Sequence, residues 1–362
     1  MKWTVRLLIA AAVIAGLALL GFNLFRGQIA QSAFERNVAE RIGTDPTAGL
    51  EDGLHVYLCG TGSPMPDPTR AGPCIGVLAG ERAFVVDAGS GSIRNLAQMG
   101  FPLGRTERVY LTHLHSDHID GLGELLLQAW IGGNRAAPLP IAGPSGVAKV
   151  VAGFNQVYQI DSTYRVAHHG VEIANPQGFG GTPETIELPA GPGGRQVVLS
   201  EGDLTVTAFA VDHAPVEPAF GFRIDYKDRS VTISGDTVYH PNLVGVAEGT
   251  DLLLHEALDP EMVQTMADAA GANGAASLQK IFRDILDYHA SPEDAARAAA
   301  EAEAGVLVLY HIVPPLPSPL LNSVFLGDSA DAYAGEIIVG QDGMVFSLPA
   351  GSDTMTERKA LN

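Results

Sequence analysis

The chain has 362 residues, 46 % of them hydrophobic and 17 % charged, with a formal net charge of −19. That length and composition allow a large buried core and exclude a disordered or fibrous protein. The acidic balance disfavours nucleic acid as a partner, because gripping a polyanion relies on cationic surface that releases counterions.

At the start, Lys2 and Arg6 precede an uncharged apolar stretch from Leu7 to Phe25. The run is long enough to span a membrane, and no small-residue cleavage site follows it promptly. Residues 1–28 read as a signal anchor or signal peptide, with the uncleaved anchor preferred, and residues 29–52 as a linker. Positive charge at the start predicts a location in the cell envelope, with the domain that follows anchored on the periplasmic side or secreted to the periplasm. Residues 53–350 read as one domain and 351–362 as a polar tail. Cys59 closes one predicted strand and Cys74 opens the next. Antiparallel pairing would bring the two thiols within bridging range, and two free buried thiols are the preferred alternative.

The run Thr112-His113-Leu114-His115-Ser116-Asp117-His118 follows the strand-like Arg108-Val109-Tyr110-Leu111 and carries most of the chemistry. In an extended segment residues 113 and 115 share a face, so two imidazoles can hold one ion while the turn beyond carries Asp117 and His118 toward a second. With 11 His in the chain, three at set positions arise by chance at roughly 3 in 100,000 sites. Further along, His213 follows the alternating run 204–211, Asp236 follows 230–235, and His311 follows the apolar run 305–310. Each stands at a predicted strand end, where functional side chains are delivered. Helices are predicted over 119–130 and 292–304, and loops over the Gly- and Pro-bearing 176–194 and the Pro-rich 312–319.

In this order the motifs resemble the metallo-β-lactamase superfamily, and within it the ribonuclease Z-like branch with its arylsulfatase-type and phosphodiesterase relatives. The resemblance rests on Leu58-Cys59-Gly60-Thr61-Gly62-Ser63-Pro64, Val86-Asp87-Ala88-Gly89, the 112–118 run, Val211-Asp212-His213, Ser234-Gly235-Asp236-Thr237, His255-Glu256-Ala257, Tyr288-His289-Ala290-Ser291 and Leu309-Tyr310-His311. It implies an α/β fold, an αββα sandwich, here preceded by the N-terminal apolar helix. It also implies one zinc held by His113, His115 and His213, a second held by Asp117, His118 and His311, and Asp236 bridging the pair. Imidazole and carboxylate donors without thiolate suit hydrolytic Zn2+, and Mn2+ or Fe2+ satisfies the same set.

The activity implied is hydrolysis of a small anionic ester, a phosphodiester or sulfate ester, by hydroxide generated at two cations. Asp117 is expected to orient that water and accept its proton, and Asp87 to steady the histidine loop. His255 is expected to act as general acid on the leaving group, with Glu256 or His289 holding its tautomer. Arg70, in the first loop, either holds an anionic group of the substrate or forms a structural ion pair. Only 22 residues separate His213 from Asp236, leaving no room for the extended arm with which ribonuclease Z enzymes grip transfer RNA. The alternatives are a tRNA 3′-end endonuclease, a lactonase or carboxyl-ester hydrolase, and a non-catalytic envelope protein. The expected partners are a small-molecule ester and, through the first helix, a membrane, with a homodimer left open.

Overall fold

The computed structural model describes residues 2–191 and 193–361. They fall into two units divided between Gly49 and Leu50. The first contains a single helix, Lys2–Arg41, which by length and composition can cross a membrane, and its apolar side chains, Leu8 and Leu24 among them, are exposed. The helix runs on through the first half of the predicted linker. Residues 29–41 contain Ala, Gln, Glu and Arg with no Pro or Gly to stop them, and Gly43, at φ +77°, lies just past the end.

The second unit is built on two sheets. One has eight strands in the spatial order Thr356–Lys359, Met344–Pro349, Gly53–Gly60, Cys74–Ala79, Arg82–Val86, Thr106–Tyr110, Leu139–Gly143, Gly181–Thr185. The other has seven, in the order Glu336–Val339, Val306–Val313, Leu252–Leu258, Arg229–Ile233, Ala219–Tyr226, Leu204–Val211, Arg195–Glu201. Alternation along each strand sends one set of side chains between the sheets and the other outward. Leu58, Val77 and Phe84 meet Phe222, Leu254 and Val308 in the central core. On the outer faces, Val85 and Val109 pack on Leu125 and Ala129 of the Leu122–Gly133 helix, while Leu253 and Leu307 pack on Ala295 and Ala299 of the Pro292–Glu301 helix. The result is the expected αββα sandwich. The strands Leu252–Leu258 and Val306–Val313 are parallel neighbours buried on both faces, which is why they read as nearly continuous apolar runs.

Several expectations are corrected. Cys59 and Cys74 form a disulfide, because Gly60 lies opposite Cys74 across the antiparallel pair that carries them. Residues 176–194 are not all loop: Gly181–Thr185 is a strand at the sheet edge, a position that tolerates Pro183. The polar tail contributes the opposite edge strand, Thr356–Lys359. The helix read as 119–130 is two pieces, Ser116–Ile119 and Leu122–Gly133, broken at Gly121. Its counterpart starts at Pro292 as expected, behind a Ser291/Asp294 capping box, and ends at Glu301.

Candidate active site

Thr106–Tyr110 runs into the histidine loop, whose shape is fixed from beneath by Asp87. One carboxylate oxygen of Asp87 accepts the Thr112 amide at 2.8 Å, and the other accepts the Thr112 hydroxyl at 2.8 Å and meets His118 Nδ1 at 2.8 Å. Asp87 therefore sits where it sets both the loop and the ring of His118. Asp87 and His311 take left-handed backbone, at φ 57° and 48°, a conformation that costs energy in any residue with a Cβ and clusters at functional sites.

The other strands bring their side chains to the same point. His113, His115, His213 and Asp236 form one group whose ligand atoms lie within 4.8 Å of each other, and Asp117, His118 and His311 form a second. Oδ2 of Asp236 lies between them, 3.8 Å from His113 Nε2 and His213 Nε2, 3.4 Å from His118 Nε2 and 3.3 Å from His311 Nε2. Asp117 Oδ2 is 3.4 Å from His311 Nε2 and 3.6 Å from His118 Nε2. All seven residues singled out in the sequence as ligands thus converge.

The donor set suits a divalent cation. His118 Nε2 is buried with no hydrogen-bond partner while the opposite nitrogen is held by a carboxylate, the arrangement of a ligating imidazole with its outer-shell support. Burial, with repulsion from neighbouring imidazoles, pushes His113 well below its ordinary pKa, and burial also lowers His115 and His213, so their ring nitrogens are free to ligate. Burial works against ionisation of Asp236, yet His311 and His118 hold its carboxyl well below the usual range.

A family model for the β-lactamase superfamily domain matches residues 82–312. The chain is 38 % identical over 291 residues to a protein named Ribonuclease Z from Mycobacterium bovis, covering 80 % of this chain and 96 % of that one. It is 36 % identical over 292 residues to another of that name from Mycolicibacterium gilvum, covering 80 % and 94 %. The chain belongs to the metallo-β-lactamase superfamily, in its ribonuclease Z-like branch. Two solved structures share the fold: the metallo-β-lactamase fold protein YhfI from Bacillus subtilis, with TM-score 0.58 and 22 % identity over 81 % of this chain and 99 % of that one, and the short form of human tRNase Z, with TM-score 0.57 and 23 % identity over 82 % and 99 %. It is a metal-dependent hydrolase acting on ester bonds.

In this ribonuclease Z-like chain the ligands floor a cavity of about 520 Å³, reached by His115, Asp117, Asp236, His289 and His311. His255 is not among its lining residues. It shares the face of its strand with Leu253 and Ala257, toward the helices, and is fully buried with Nδ1 on the Glu256 carbonyl. The general-acid role expected of His255 is therefore withdrawn. Glu256, one residue on, faces the site instead, and its carboxylate meets His289 Nδ1 at 3.0 Å and accepts the amides of Thr237 and Ala290. Burial lowers the basicity of His289, but Glu256 more than offsets this and raises its pKa.

Arg70 also departs from one of its two expected roles. Its guanidinium donates to the Thr61 hydroxyl and the Gly340 carbonyl, approaches Asp67 at 4.0 Å, and does not line the cavity. It is a buried loop brace, not an anion grip. Sequence reading missed the helices Pro260–Ala272 and Ala276–Asp284, whose side chains roof the cavity. Apolar residues at 278, 281, 282 and 285 were the available signal, but the same spacing marks any core-facing helix.

Proposed function

We propose that this hydrolase is a dinuclear zinc phosphodiesterase, with His289 as the general acid. The observation that carries the reading is the two ligand groups joined through Asp236, with the His289–Glu256 pair at the same cavity. When bound, a cation pair supplies Lewis acidity that activates water and offsets charge on the phosphoryl oxygens. Asp117, at the cavity floor, orients the attacking water and takes its proton. His289, with Nδ1 held by the Glu256 carboxyl group at 3.0 Å, delivers a proton to the departing alkoxide, and Glu256 fixes the ring that does so. Asp87 keeps His118 and Thr112 in register so that these distances hold.

The named relatives make the phosphodiester at an RNA 3′ end the first substrate to test. A second reading, a small diester, is favoured by the net charge of −19 and by the segment from His213 to Asp236, most of which is spent on the hairpin Ala219–Tyr226/Arg229–Ile233. Metal-loaded protein is to be offered a tRNA precursor and bis(4-nitrophenyl) phosphate side by side, with and without chelator. Chelator-sensitive cleavage of either supports the diesterase; cleavage of neither, with an aryl sulfate or lactone turned over, replaces it. The exposed apolar helix Lys2–Arg41 supports a further proposal, an enzyme anchored in the cell envelope with its catalytic unit in the periplasm, checked by protease accessibility in intact spheroplasts.

A further inference from the structure

The helix Ala276–Asp284 has no buried residue, yet Leu278, Ile281, Phe282 and the following Ile285 recur at i, i+3, i+4, i+7 on one face. Such a face normally rests on a core. Here Phe282 and Ile285 make contact with a small cluster around Val263 and Val313, while Leu278 and Ile281 remain 50 % and 51 % exposed. All four line the cavity above the metal ligands. Met65 and Met266 join them, and thioethers adapt to apolar groups of varied shape.

The apolar surface does not end there. An adjoining hollow of about 510 Å³ shares Pro66, Met266 and Pro315 with the cavity and continues over Met262 and Leu321. Among the described residues lining the two spaces there is no lysine or arginine. A run of nucleotides needs cations for its phosphates and polar partners for its base edges, whereas a hydrocarbon needs neither.

We infer that the substrate is an amphiphilic phosphodiester whose alkyl or aryl group lies under the Ala276–Asp284 helix and along the adjoining hollow. The inference rests on the diesterase reading and names its substrate class. Water adds to phosphorus, one P–O bond breaks, and the proton lost by water ends on the departing alcohol, leaving a phosphate monoester. Leu278, Ile281 and Phe282 select for the apolar arm.

The test uses the zinc-loaded full chain in lipid nanodiscs with 4-nitrophenyl methyl, butyl and hexyl phosphates, beside the Leu278→Ser/Ile281→Ser variant in the same discs. Both positions are half exposed, so the variant folds, and it cancels any partition of ester into lipid. The wild type should gain about two- to fourfold in kcat/KM per added methylene, and the variant should show a flattened series. A flat wild-type series, or equal slopes in the two proteins, overturns the apolar subsite. Calorimetric binding of methyl and hexyl phosphate separates the two ideas. If no diester is cleaved but hexyl phosphate binds more tightly to wild type than to the variant, the diesterase reading falls and the subsite stands; equal affinities remove the subsite. Efficient cleavage of a tRNA precursor, with no chain-length preference among the diesters, would assign the cavity to RNA.

Discussion

The floor and the roof of the cavity are made in opposite ways. The floor is fully buried at His113, His118 and Asp236, is pinned through Asp87, and uses donors whose chemistry admits few substitutes. The roof is the Ala276–Asp284 helix, without one buried residue, joined by Met266 of Pro260–Ala272 and by a loop, 61–73, that carries Met65 and Pro66. One region fixes what reaction is possible and the other which molecule undergoes it, so the first depends on residue identity and the second only on apolar character and shape.

Substitutions should separate these roles. Asp236→Ala, which removes the oxygen shared by both ligand groups, is expected to lower bound metal below two per chain and to cut turnover of every ester by about a thousandfold or more; metal analysis and kcat measure it, and an unchanged metal content would break the floor assignment. His289→Ala should keep its metal and lose about 10²- to 10⁴-fold on alkyl diesters with poor leaving groups, but far less on 4-nitrophenyl esters, whose phenolate leaves without a proton. Equal losses on both would make His289 a structural residue. His255→Ala makes the contrast, since it should lower stability and spare that leaving-group dependence.

Two changes around the loop 61–73 act on stability instead. The Cys59–Cys74 bridge, with a sequence separation of 15, ties the base of the loop, and the double Ser variant should unfold about 3 kcal/mol more easily in urea. A midpoint equal to wild type would show that the bridge does not constrain the loop. An effect of pH concerns Asp342, which accepts from the amides of Thr61 and Ala71 and the Thr61 hydroxyl. Burial raises its pKa from 3.8 to about 6, so the folded chain holds this proton more tightly than the unfolded chain. Its contribution to stability is present below about pH 4 and lost as pH rises through 6, with a slope of at most about 1.4 kcal/mol per pH unit. The difference in urea midpoints between wild type and Asp342→Asn should follow that window; a pH-independent difference removes the titration.

Much of the floor was legible because metal chemistry restricts residue type and strand ends restrict position: the 112–118 run, His213, Asp236 and His311 could be read one after another. His255 and His289 could not be sorted that way. Both sit in chemically plausible motifs, and only the register of Leu252–Leu258, which turns Leu253 and His255 to the helices, decides between them. Arg70 was ambiguous for a related reason, since a guanidinium near a site looks the same whether it faces an anion or the Gly340 carbonyl. The roof escaped because its apolar spacing is the ordinary pattern of a packed helix, and the edge strand at Gly181–Thr185 because Pro183 punctuates loops as readily as sheet borders.

His311 and Asp87 hold left-handed backbone, and His118 Nε2 is buried without a hydrogen-bond partner. The backbone strain raises the free energy of the fold, and a bound cation would take up the nitrogen directly. Metal supply therefore acts as a stability control: RT ln(1 + [M]/Kd) is added to the unfolding free energy of a chain that binds only when folded. A cell short of that cation would not simply hold a silent enzyme; it would hold a softer one, cleared sooner by proteases, so that its abundance tracks its metal supply.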